Sequence, residues 1–282
     1  MENLLIIGCG DIARRAIPLL SGHFNLYALV RDPARAAALR AMGVTPVIGD
    51  LDQRRSLRRL AGLAQVVLHL APPDTRGEQD GRTRNLLATL AQGTLPTRLV
   101  YISTSGVYGD CGGAWVSETR PLRAQTARAR LRVSAERQIR TWAARNRVQA
   151  AILRVPGIYA AERLPLERLR AGLPAILAAE DGYSNHIHAD DLARILVAAL
   201  RHARPNRAYH AVDDDEMKMG DYFDAVAAAH GLPHPPRRSR AEVRQQVSPM
   251  MWSFMNESRR LRNDRIKREL KVQLRYPALH LD

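Results

Sequence analysis

Apolar residues in this chain follow two alternating patterns. Short continuous runs rich in branched residues occur at 4–7, 26–30, 45–48, 65–70, 98–103 and 150–155. Between them, apolar positions recur at helical spacing over 12–20, 33–42, 53–60, 82–91 and 126–144. A strand that is apolar at consecutive positions is buried on both faces, and strands separated by helices of this length form right-handed βαβ units. The pattern predicts an α/β fold, a doubly wound parallel sheet with helices on both faces. Past about Tyr159 the rhythm breaks up among Pro165, Pro174, Pro205, Pro233, Pro235 and Pro236. We expect residues 1–160 to form the sheet domain and 161–282 a small C-terminal substrate lobe packed on it. Segment 184–212 should return to the sheet, with a further strand near 209–212.

Composition narrows the class. Hydrophobic residues make up 46% and charged residues 25%, which excludes wholesale disorder. The longest stretches without a formal charge, 16–30 and 60–73, are shorter than the roughly 20 apolar residues of a membrane span. No basic, apolar leader opens the chain, so we expect a cytoplasmic protein. Cys9 and Cys111 are the only cysteines, too few for a disulfide framework or a cysteine-rich zinc site, and we expect no metal. The net charge of +15 is nearly all arginine; Lys218, Lys267 and Lys271 are the only lysines. The arginines are scattered over several expected helices, with no basic tail and only 5% aromatic residues. That distribution suits solvated helix faces and an anionic small molecule better than nucleic acid.

The first strand runs directly into Gly8-Cys9-Gly10-Asp11-Ile12-Ala13 at the start of a helix. In a strand–turn–helix setting, Gly8 allows the tight turn and Gly10 lets a pyrophosphate approach the backbone at the helix N-terminus, beside Asp11 and Ile12. Ala13 is small enough for close helix–strand packing. This is the dinucleotide turn of a Rossmann fold. About 20 residues on, a carboxylate would read the ribose hydroxyl of NAD and an arginine the extra phosphate of NADP. Asp32-Pro33 reads as a helix cap followed by proline, which leaves Arg31 at the ribose and favours NADP, with NAD the alternative if the register shifts by one residue. Asp50 and Leu51 follow the third strand and should lie beside the adenine. Asp50 either accepts from the adenine amino group or caps a helix.

Several further segments resemble the extended short-chain dehydrogenase/reductase superfamily. They are His69-Leu70-Ala71, the run from Thr83 to Leu87, Ser103-Thr104-Ser105-Gly106-Val107-Tyr108-Gly109, Arg154-Val155-Pro156-Gly157-Ile158-Tyr159 and His188-Ala189-Asp190-Asp191. Asn263-Asp264-Arg265 with Tyr276-Pro277 is similar to the C-terminal end of that family. The likeness spans almost the whole chain and is closest to the atypical NAD-dependent epimerase/dehydratase proteins, the YeeZ-like subgroup. It implies that Leu70, Ala71 and Ser103 line the cofactor. It also implies a catalytic hydroxyl at Thr104, with Ser103 and Ser105 as neighbours that could take its place.

The family's catalytic tyrosine and lysine are missing. With Glu118 and Pro121 upstream and Glu136 downstream, the tyrosine position falls on Arg128 and the lysine position on Arg132. Arg132 can still reach a ribose hydroxyl, but a guanidinium that stays protonated above about pH 12 cannot relay a proton as a tyrosine does. Tyr108, Tyr159, His69, His186 and His188 are the possible substitutes; His188-Ala189-Asp190-Asp191 reads better as a helix cap than as a metal site. Asp213, Asp214, Asp215 and Glu216 read as a cap on the helix that follows. The apolar segment Pro249–Met255 either packs in the lobe or walls the substrate pocket. Helices 82–91 and 126–144 correspond to the superfamily's dimer seam, here rich in arginine, so monomer and homodimer both stand. The expected activity is an NADP(H)-dependent oxidoreductase or epimerase/dehydratase acting on a small hydroxyl, carbonyl or nucleotide-sugar-like compound. The alternative is a catalytically silent protein that senses NADP(H).

Overall fold

The computed structural model describes residues 1–74 and 77–281. Seven strands form the central sheet: β1 (Glu2–Ile7), β2 (Phe24–Val30), β3 (Val44–Ile48), β4 (Val66–His69), β5 (Arg98–Thr104), β6 (Gln149–Val155) and β7 (Arg207–His210). Their order is 3-2-1-4-5-6-7 and every pairing is parallel. Side chains alternate between two cores along each strand. Leu4, Ile6, Val66, Leu68, Val100 and Ile102 face one apolar layer, whereas Leu5, Ile7, Val67, Leu99 and Tyr101 face the other. This double burial produced the uninterrupted apolar runs in the sequence. Pro46 sits within β3, where it is tolerated because β3 is an edge strand.

The helices fall on both sides of the sheet. Those that organise the cleft are α1 (Asp11–Leu20), α2 (Ala36–Ala41), α3 (Gly81–Leu90), α4 (Ala127–Asn146), α5 (Ala189–His202), α6 (Met219–Ala229) and α7 (Pro249–Met255). Buried residues of α1 and α5 belong to the first core, and those of α3 and α4 to the second. Two of the expected helices differ in form. Segment 33–42 begins as a 3₁₀ turn, Pro33–Arg35, before α2. Segment 53–60 is 3₁₀ throughout its Arg54–Leu60 core, with Leu57 and Leu60 buried. The three-residue spacing of those two leucines suits the 3₁₀ repeat, which aligns i with i+3. The last strand, Arg207–His210, lies two residues earlier than the run 209–212, and Ala211 N–H adds one further bond to the Arg154 carbonyl of β6 at its end. A third apolar cluster, including Leu169, Ile176, Phe223, Val226, Val243 and Met255, forms the interior of the C-terminal segments.

A buried polar network joins these parts. Glu136 of α4 accepts from Arg154 of β6 through both carboxylate oxygens, at 3.2 Å from Nε and 2.8 Å from Nη2, and both residues are buried. Arg154 Nη1 also donates to Tyr108 Oη at 2.6 Å and to the Glu118 carbonyl at 2.9 Å. The Tyr108 hydroxyl donates to His210 Nε2 at 2.6 Å, and His210 Nδ1 donates to the Arg262 carbonyl at 2.8 Å. A satisfied network of this kind fixes one arrangement, whereas removing one member of the ion pair would leave a buried charge uncompensated at a cost of about 3–5 kcal/mol.

Burial pushes the His210 imidazole down to about 3, with help from the Arg154 and Arg265 charges against a bond to the Arg262 carbonyl. The unfolded histidine takes up its proton near 6.5, so only the unfolded chain gains a proton between those values. The stability His210 confers is intact above pH 6.5 and is lost as the pH falls. We expect the stability difference between wild type and His210→Gln, from urea unfolding, to narrow by about 2 kcal/mol between pH 7.5 and 5. A pH-independent difference would show that His210 titrates normally in the native state.

Candidate functional site

The strand order reverses between β1 and β4, and a crevice opens at the carboxyl ends of an α/β sheet at such a switch. β1 ends there in Gly8, whose φ of +93° favours glycine, and a Cβ on it would lie 2.5 Å from the Ala71 nitrogen. Leu70 and Ala71 N–H both donate to the Ile7 carbonyl, at 2.8 and 2.9 Å, pinning the end of β4 against the turn. A Cβ at Gly10 would meet nothing within 4 Å. Gly10 is also the N-cap of α1 and supplies no side-chain cap, so the first N–H groups of the helix face open space. Unpaired donors at a helix N-terminus with no side chain above them fit a pyrophosphate. Ile12 is buried in the core, and only its backbone is available to a ligand.

Charged groups frame the turn. Burial opposes ionisation of Asp11, but hydrogen bonds from Arg163 and Arg15 hold its carboxyl below the usual range. Arg15 also pairs with Glu162 and Asp190, tying α1 to α5. Burial raises the Cys9 thiol, while the charges of Arg14 and Arg35 act in the opposite sense. Those two arginines were not singled out from the sequence, although Arg14 directly follows the glycine turn.

Arg31 leaves β2 exposed and makes no hydrogen bond or ion pair among the described residues. Asp32 is the N-cap of the Pro33–Arg35 turn, its Oδ1 accepting from Ala34 N–H at 2.9 Å. At the next strand end, Asp50 Oδ1 accepts from Asp52 N–H at 3.0 Å, and the Leu51 carbonyl accepts from Asn85 Nδ2 at 2.8 Å. The Asp50 carboxylate thus closes its own turn, and the Leu51 side chain is buried in the second core.

β5 separates its hydroxyls by face. Ser103 is buried and donates to Glu136 Oε1 at 2.6 Å. Thr104 is half-buried; its Oγ1 accepts from Gly106 N–H at 3.2 Å and donates to nothing among the described residues. Ser105 is buried. From α4, Arg132 Nη1 donates to Tyr101 Oη at 3.0 Å and to the Ile102 carbonyl at 2.6 Å, which sets its guanidinium over the end of β5. Arg128 lies one turn earlier, its guanidinium carbon 4.5 Å from the Phe254 ring centroid. Phe254 and Met250 are exposed on one side of α7, while Met255 is buried in the lobe. The segment therefore both packs in the lobe and reaches α4.

The possible substitutes for a tyrosine base are each bonded or packed elsewhere, although His69 Nδ1 is buried without a partner among the described residues. Burial pushes Tyr108 up to about 12 despite Arg154. Tyr159 donates to the Ala278 carbonyl at 3.2 Å and accepts from His280 N–H at 3.3 Å, and burial also raises it. His69 Nε2 donates to Thr83 Oγ1 at 2.9 Å, and Thr83 in turn donates to Asp80 at 2.5 Å; burial pushes His69 down to about 3. His186 stacks on Tyr222 with centroids 4.2 Å apart, and burial takes it to about 4. His188 caps α5, its Nδ1 accepting from Asp190 N–H at 3.2 Å. The acidic run does not cap α6. Asp214 accepts from Asn263 and Lys267, and Asp215 from Leu279 N–H, so these carboxylates hold the C-terminal segment instead. Among the described residues no cluster suits a metal ion, and no helix is long and apolar enough to cross a membrane.

A family model described as NAD(P)H-binding matches residues 8–203. No curated protein matches the chain. A conserved protein of unknown function from Silicibacter pomeroyi is 32% identical, with 99% of this chain and 95% of that one covered and a TM-score of 0.79. UDP-glucose 4-epimerase from Thermotoga maritima, solved with UDP-glucose, is 15% identical over 97% of this chain and 94% of its own, at TM-score 0.78. A dTDP-glucose 4,6-dehydratase from Streptomyces venezuelae with NAD bound is 20% identical over 96% and 91%, at 0.77. The chain belongs to the NAD(P)H-binding family and has the fold of the nucleotide-sugar epimerases and dehydratases, in agreement with the sequence resemblance.

The two glycines of the turn should respond differently to alanine. Gly8→Ala forces a Cβ into the Ala71 backbone at positive φ, so the urea midpoint should drop sharply. Gly10→Ala should leave the midpoint nearly unchanged and weaken NADPH at least tenfold in a fluorescence titration. Equal unfolding midpoints for the two variants would contradict this division.

Proposed function

We propose that this NAD(P)H-binding protein is an NADP(H)-dependent enzyme of oxidoreductase or epimerase/dehydratase type, acting on a small hydroxyl or carbonyl compound. The observation that carries the reading is the half-buried Thr104 hydroxyl at the end of β5. It accepts from Gly106 N–H and keeps its own proton free among the described residues, two residues along β5 from the Ile102 carbonyl that Arg132 binds.

When bound, the nicotinamide supplies hydride transfer. The chain's residues then have separate tasks. Backbone N–H groups at the start of α1 hold the pyrophosphate. Arg132, anchored through Nη1, has Nε left to donate to a ribose hydroxyl. Thr104 donates to the reacting oxygen and stabilises charge that develops on it. Arg31 supports NADP, because its guanidinium is unpaired among the described residues while the neighbouring Asp32 carboxylate is occupied as a cap. A guanidinium forms paired, charge-assisted bonds to phosphate. Asp11, Leu70 and Ala71 line the pyrophosphate end of the cleft. Asp50, Leu51 and Ser103 contribute through the conformation of their strand ends, since their polar groups are already bonded.

A second reading, an NADP(H) sensor without turnover, is favoured by one specific observation. The tyrosines and histidines nearest the cleft are bonded and shifted away from neutrality. Turnover measured against aldehydes, ketones and nucleotide sugars, once cofactor binding is established, separates the two.

If Thr104 polarises the reacting oxygen, Thr104→Ala should lower kcat by about 10²–10³, the scale of losing one oxyanion donor, with NADPH affinity little changed. Retained kcat would remove that role. Arg31→Ala should weaken NADPH at least tenfold more than NADH in paired fluorescence titrations; equal losses would mean that Arg31 does not meet the extra phosphate.

A further inference from the structure

Two guanidinium groups at the start of α4 have no carboxylate partner among the described residues. Arg128 and Arg132 are spaced i to i+4, which puts both on one face of the helix, and desolvation together with the Arg132 charge lowers the Arg128 guanidinium from its ordinary value. Arg132 bonds only through Nη1, to Tyr101 Oη and the Ile102 carbonyl. Arg128 makes no hydrogen bond or ion pair among the described residues and has the Phe254 ring over one face. Glu257 attracts it from a distance, but the Glu257 carboxylate is bound to Arg259. Several other arginines are neutralised, Arg154 by Glu136, Arg207 by Glu269, Arg237 by Asp224 and Arg82 by Asp52, whereas Arg140 and Arg168 bond carbonyls and Arg128, at an exposed position, has neither among the described residues. Adjacent like charges on a helix face disfavour each other, and one of the pair, Arg132, sits against the end of β5 through the Ile102 carbonyl. A Cβ at Gly106 would lie 3.6 Å from Thr104 Oγ1 and 3.7 Å from the Cβ of Ala129, the neighbour of Arg128. The turn after Thr104 therefore packs on the first turn of α4, the helix that carries both arginines.

We propose that Arg128 and Arg132 bind an oxyanion of the substrate, a carboxylate or phosphate group attached close to the carbon that reacts. This rests on the reading of the cleft as the substrate site of an NADP(H)-dependent enzyme. The two flat guanidinium forks offer paired bonds to such a group, and Phe254 keeps water from one face of Arg128, which strengthens the attraction. Once the anion is held, a neighbouring carbonyl or hydroxyl oxygen falls to Thr104. Arg128 thus selects charged substrates over neutral ones of the same shape.

The test uses the full chain saturated with NADPH, with cofactor affinity measured by its fluorescence. Oxalate, inorganic phosphate and neutral oxamide are then titrated calorimetrically. We expect oxalate or phosphate to bind at least tenfold more tightly than oxamide, the stronger of the two identifying the group. Arg128→Leu should weaken that oxyanion at least tenfold with NADPH affinity held within twofold; Arg128→Gln replaces it if the leucine variant misfolds. Arg137→Leu removes the same charge from an exposed position on the same helix and should leave oxyanion affinity within twofold. The proposal is overturned if the oxyanions bind no better than oxamide, or if the Arg128 and Arg137 variants lose affinity equally. Failure of the wild type to bind NADPH would remove the parent reading instead, and the same titrations on the cofactor-free protein would still decide the oxyanion site.

Discussion

The buried Glu136–Arg154 ion pair is the constraint on which the cleft depends. It clamps α4 to β6, and through Arg154 it fixes Tyr108, His210 and the carbonyls of Glu118 and Arg262. α4 carries Arg128 and Arg132, while Tyr108 ends the turn that follows Thr104. The relative positions of the hydroxyl and the two cations are therefore set by one desolvated pair. Such a pair adds little net stability over apolar packing, but its full satisfaction admits a single geometry. The same network withdraws Tyr108 from proton transfer, because its hydroxyl already accepts from Arg154 and donates to His210.

Much of the fold was legible in the sequence because a sheet covered on both faces writes itself as short apolar runs. Gly8 and Gly10 were legible for the same reason that they are glycines: one presses against the Ala71 backbone, and the other leaves space above a helix N-terminus. The Asp32-Pro33 cap was readable from two adjacent residues. The C-terminal segments were not, since their order comes from long-range bonds with no local period. Asp191 illustrates this, as its buried carboxylate accepts from the backbone of Arg275 and Tyr276. The run from Asp213 to Glu216 does likewise, and from sequence it looked like an ordinary helix cap.

Within the cleft, residue types could be read but their commitments could not. Asp50, Ser103, Tyr108 and Tyr159 all carry groups suited to a ligand, and the structure engages each in a bond of its own. Thr104, Arg31 and Arg128 keep their donors free among the described residues, as Arg132 does its Nε and Nη2. The approach of Phe254 to Arg128 had no signal in the spacing of α7, because an apolar helix turn looks the same whether it faces a core or a cleft. On the proposed reading, the dinucleotide cleft has a hydroxyl and two cations at its substrate end.

The most direct measurement is a crystal structure of the NADPH complex, showing which side chains surround nicotinamide C4. Our account predicts Thr104 Oγ1 and the Arg128 and Arg132 guanidiniums at that ring, with the Tyr108 and Tyr159 hydroxyls still bonded to His210 and the C-terminal backbone. A tyrosine hydroxyl swung free of those partners and within hydrogen-bonding reach of C4 would contradict it.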